Sequence, residues 1–74
     1  MTRDEFLMLL KENNIDESAV VFDDPIKDGY CIRKNYFRWE FFFRERGKEY
    51  NLTGYPSESD ALAALFEKLV QIKG

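Results

Sequence analysis

Seventy-four residues make one domain, and a chain this short removes only ~60% of its unfolded surface from water. A formal charge of −3 with no histidine argues against generic nucleic-acid binding and excludes any mechanism that needs an imidazole base or ligand. Cys31 stands alone, so neither an internal disulfide nor a cysteine zinc site can form. With no long apolar run and no leader pattern, the expectation is a cytoplasmic domain without a membrane segment.

The chain opens with "TRDEFLMLLKENN". Thr2 and Glu5 have the spacing of a capping box, and Phe6, Leu9 and Leu10 follow helical periodicity, with Leu7 and Met8 widening the apolar side. Next comes a one-sided acidic stretch. Glu12, Asp16, Glu17, Asp23, Asp24 and Asp28 face only Lys27. Residues 19–22 within it read either as a short edge strand or as an extended arm. The carboxylates at positions 23, 24 and 28 lack the alternating ligands and closing Glu of an EF-hand loop, so a solvated loop is expected there and not a metal site. Acids in a loop, where no core or ladder demands them, suit a basic protein partner through electrostatic steering. Glu17, Asp23, Asp24 and Asp28 are the candidate contacts.

From Tyr30 to Tyr55 the period is two. A tight turn at Lys34-Asn35 and a four-residue loop over 44–47, with Gly47 left-handed, sort the large apolar residues onto one face. That face holds Tyr30, Ile32, Phe37, Trp39, Phe41, Phe43, Tyr50 and Leu52. The opposite face carries Arg33, Arg38, Glu40 and Arg44 together with Tyr36 and Phe42. Two aromatics beside arginines have the composition of an interface, which makes Tyr36 and Phe42 further candidate contacts. Packing of Phe42 between arginine stems is the competing reading. In "PSESDALAALFEKLVQIKG", Ser57 is placed as an N-cap, and Leu62, Leu65, Phe66, Leu69 and Val70 form one helical stripe. The expected fold is α+β over residues 1–74: helix, three-stranded antiparallel meander, helix, in two layers.

Catalytic signatures are missing. The glycines are isolated, so no phosphate-cradling loop exists, and neither an enzyme nor a cofactor is expected. The element order also suits a double-stranded-RNA-binding domain. Here, however, the second helix opens "SESDA", and Glu58 and Asp60 would repel phosphate at that terminus.

The segments "RWEFFFRERGKEYNL" and "YPSESDALAALFEKL" together resemble the small bacterial immunity proteins of polymorphic and contact-dependent growth inhibition toxin systems. Trp39, Phe41, Phe42, Glu45, Arg46 and Gly47 carry the likeness, with Ser57, Glu58 and Ala61. It extends loosely to "LKENNID" and "YCI". The resemblance implies a cytoplasmic inhibitor that neutralises a cognate toxin domain, expected to be a nuclease, by occlusion. The matching positions are mostly scaffold, so they imply fold and class but no binding residues. Another protein-binding inhibitor or adaptor, such as a phage-encoded one, is the alternative.

Overall fold

Two helices at the ends of the chain and a sheet between them follow from the change in apolar period, and a computed structural model shows their arrangement for residues 1–22 and 28–73. The first helix, α1, spans Arg3–Glu12. Thr2 accepts the Glu5 amide at 3.2 Å, and the Glu5 carboxylate accepts the Thr2 amide at 3.2 Å, which closes the expected capping box. A short 3-10 turn, Glu17–Ala19, leads into β1, Val20–Phe22. Three longer strands follow: β2 (Gly29–Asn35), β3 (Arg38–Glu45) and β4 (Lys48–Tyr55). The last helix, α2, spans Glu58–Lys73, and Ser57 caps it by accepting the Asp60 amide at 3.2 Å.

The sheet is four-stranded in the order β1-β2-β3-β4. Residues 20–22 are thus a strand, paired parallel to β2, while β2, β3 and β4 form the antiparallel meander. Both helices lie on one face. Phe6 and Leu10 of α1 meet Ala61, Leu62, Leu65 and Leu69 of α2 over Val20 and Ile32, and Trp39, Phe41 and Tyr55 pack around them. The class is α+β.

Both hairpins differ in register from the sequence expectation. The β2–β3 turn falls at Tyr36-Phe37, not at Lys34-Asn35, and sets Ile32 opposite Phe41 and Tyr30 opposite Phe43. This longer ladder pairs every residue of β2 and brings the Tyr30 and Phe43 rings together in a tilted contact at 5.0 Å, whereas the earlier turn would strand Phe41 and Phe43 beyond the end of β2. The register changes by an even number of residues, so the faces survive. Phe37 does not: it leaves the inner face for the turn and is 93% exposed.

The β3–β4 loop has two residues, Arg46-Gly47, instead of four. Both take positive φ, 52° and 79°, as a primed turn requires to match strand twist. A bulge near Asn51, whose φ is 56°, then shifts the pairing between Phe41 and Phe43. As a result Thr53 and Tyr55 join the inner face, where Tyr55 stacks on Phe41 at 5.7 Å. Leu52, expected inside, moves to the outer face and is 44% exposed. Gly54 comes to lie under Arg38, at a position where a Cβ would overlap the guanidinium.

Candidate protein-docking surfaces

The outer face of the sheet is not the open contact surface expected. Cross-strand register aligns Val21, Cys31 and Phe42 in one apolar row, and Phe42 is 0% exposed. The Arg33 guanidinium sits 4.6 Å above the Phe42 ring. It donates to Glu40 at 3.1 Å and, through both terminal nitrogens, to Glu49 at 2.8 and 3.3 Å. Burial opposes the charge on Arg33, yet the bonds to Glu49 and Glu40 hold its pKa above the ordinary value. Phe42 is therefore withdrawn as a partner contact. A large ring flanked by arginine stems loses more by facing water than by lying beneath them.

Under the same roof lies Cys31. Burial pushes its thiol pKa up; nearby Arg44 opposes this and Glu49 reinforces it. A buried thiol held in its protonated form is a poor nucleophile.

Two of the acidic candidates, Glu17 and Asp28, are separated along the chain but share one end of the sheet. Parallel pairing sets Val20 beside Tyr30, so Glu17 and Asp28, each just before its strand, emerge together. Both are exposed. Asp23 and Asp24 lie outside the described residues. Asp16 accepts the Ser18 amide at 2.9 Å, which lowers its pKa below the ordinary carboxylate value.

An apolar groove opens beside these acids. Leu7, Met8, Lys11 and Ile15 line it with Asp16 and Glu17, enclosing about 580 Å³. A second cleft of about 400 Å³ shares Leu7, Asp16 and Glu17 and runs on to Val20 and Phe22. Met8 is 62% exposed at the rim. Sequence reasoning passed over Leu7 and Met8 as mere widening of the apolar stripe. The available signal was that five successive apolar residues, 6–10, exceed what one buried helix face can use.

Tyr36 is the remaining candidate. It sits at the β2–β3 tip beside Phe37, 88% exposed, and its φ is 58°. β1 stops opposite Ile32, so the tip overhangs that side of the sheet by three residues of β2. Lys34 and Arg38 flank the two rings, both exposed. Strands of this length put the tip roughly 25 Å from the acidic end. The described candidates thus divide into two surfaces, Glu17 with Asp28 and Tyr36 at the tip, with Phe42 in neither.

No group of residues suited to a metal ion occurs among the described residues, and no helix among them is long and apolar enough to cross a membrane. Compared with known protein families, curated proteins and solved structures, the chain matches none.

Proposed function

We propose that this chain is a protein-binding inhibitor of the immunity-protein kind, which neutralises a basic toxin domain of nuclease type by covering its substrate surface. The observation that carries the reading is the groove of Leu7, Met8 and Ile15 rimmed by Asp16 and Glu17, with Asp28 emerging at the same end of the sheet. A desolvated apolar centre with a charged rim is how protein interfaces divide affinity from specificity. The rim acids would steer a cationic partner, and the apolar floor would hold it. The resemblance of the hairpin and last helix to immunity proteins supports the toxin class of the partner. Silencing a lethal enzyme calls for nanomolar affinity, about −12 kcal/mol.

The reading expects a toxin domain to be encoded beside this gene, and the test uses that domain. Equimolar purified chain should abolish its nuclease activity, and a variant carrying Glu17→Lys and Asp28→Lys should need at least tenfold more protein. Undiminished activity in the presence of excess wild-type chain would reject the reading.

A further inference from the structure

We infer that copies of this chain associate head to tail, the Tyr36-Phe37 tip of one seating in the Leu7-Met8-Ile15 groove of the next. Both halves of the contact are present on each molecule, and their chemistry is opposite. The tip offers two exposed rings between two cations, Lys34 and Arg38, neither of which forms an ion pair among the described residues. The groove offers two apolar clefts divided by a shared wall of Leu7, Asp16 and Glu17, with Lys11 as an opposing charge on the larger one. Clefts of about 580 and 400 Å³ are within the range that takes ring-sized groups.

The backbone shows how the tip is held. Tyr36 takes φ = 58°, a region that Gly, Asn or Asp enters readily and an aromatic residue enters at a penalty. The core does not require this ring, since Tyr36 is 88% exposed. The two-residue turn between Asn35 and Arg38 sets this φ, as the Arg46-Gly47 turn does for Arg46, and it holds both rings out beyond the end of the sheet.

The occupant cannot be the molecule's own groove. Arg3, at the start of α1, lies 4.6 Å over Phe22 at the far end of β1, while Lys11 and Ile15 line the groove beyond the other end of the helix. The larger cleft therefore stands at the end of the layer opposite the tip, while the smaller one runs along β1 as far as Phe22. A flat anionic membrane suits the tip less well than an acid-rimmed cleft. The same end of the molecule carries Asp4, Glu5 and Asp60 at the helix starts, and a flat surface would meet them too. The contact is heterologous, so it propagates into chains or closes into rings. It uses the groove of the proposed function but needs no foreign partner, and an external partner with a basic aromatic loop would compete for the same place.

Sedimentation velocity on the purified chain at low salt is the test. The wild type should show a sedimentation coefficient that rises with concentration between about 1 µM and about 1 mM. The rise should shrink on adding salt. A tip variant (Tyr36→Gly with Phe37→Ser) and a groove variant (Met8→Gln with Glu17→Lys) should each remain monomeric. Mixed in equal amounts, they should form a one-to-one complex and nothing larger, because each retains one intact half of a single contact. A wild type that stays monomeric overturns the proposal, as does a mixture that fails to associate or an association that survives both variants. Binding of the monomeric wild type to phosphatidylserine vesicles through Phe37 would assign the tip to a membrane instead. None of these outcomes depends on toxin inhibition.

Discussion

Arg33 shields the Phe42 ring, satisfies the nearly buried Glu40 carboxylate and ties β2 to Glu49 on β4. These roles make the pair energetically lopsided. Arg33→Ala leaves Glu40, 6% exposed, with only Asn35 at 3.4 Å, and should cost on the order of 3 kcal/mol. Glu40→Leu leaves Arg33 still bonded to Glu49 and partly in water, and should cost less than about 1 kcal/mol. Urea unfolding of the two variants and their double mutant measures the asymmetry; equal losses would contradict this arrangement. Cys31 supplies a second readout of the same roof. Native protein should react with a thiol reagent only at the rate of opening, while unfolded protein reacts at once. Because its native pKa is raised, the folded state holds a proton that the unfolded chain gives up. The thiol's contribution to stability is therefore intact below its ordinary value of 9.0 and lost as pH climbs through the raised one. Cys31→Ala should flatten that alkaline decline.

The hairpin turns behave differently from one another. Gly47 has φ = 79° and open space where a Cβ would stand, so any penalty on substitution is backbone strain alone. Gly47→Val should destabilise by about 1–2 kcal/mol and Gly47→Asn by clearly less, since Asn tolerates the left-handed region. A calorimetric comparison giving both variants the same melting temperature would refute this. Tyr36 is the reverse case: a residue already paying the strain. Tyr36→Gly should raise stability in urea unfolding by about 0.5–1 kcal/mol, since the exposed ring adds nothing to the core. The same substitution belongs to the variant expected to lose self-association, so a gain in stability and a loss of binding should appear together.

For the molecule as a whole, neither end is of one sign: Arg44 and Lys48 stand at the end of the sheet that carries Asp28, and Asp4, Glu5 and Asp60 stand at the tip end. Glu17 and Asp28 project at one end, whereas Lys34 and Arg38 flank the opposite tip. Replacing Asp23, Asp24 and Asp28 together with Asn should leave the melting temperature almost unchanged, because the sequence gives these carboxylates no core or ladder role. It should slow association with a basic partner and flatten the salt dependence of the on-rate, while Phe42→Leu, a change under the Arg33 roof, should act on stability alone. Duplex RNA or DNA should bind weakly at most near physiological salt. At the start of α2, Glu58 is occupied by Arg3 at 2.9 Å, and Asp60 stands exposed where phosphate would have to sit. Titration with labelled duplexes checks this.

Local chemistry made much of the fold legible. The Thr2–Glu5 capping box, Ser57 at the start of α2, the left-handed Gly47 and the alternation through β3 depend on neighbours within a few residues, and each appears in the structure as read. What the sequence left open was register and cover. Two turn placements kept the same inner face, and only the fuller β2–β3 ladder with its Tyr30–Phe43 contact separated them. The bulge at Asn51 exchanged Leu52 for Thr53 and Tyr55 because Tyr55 could stack on Phe41 and Gly54 could admit Arg38, two contacts remote in sequence. Alternation placed Phe42 on the outer face, but could not say that a guanidinium from the adjacent strand would close over it. Nor could order along the chain bring Glu17 beside Asp28 or separate both from Tyr36; that came from the parallel pairing of β1 with β2, which sets the starts of two strands side by side and sends the β2–β3 tip to the other end.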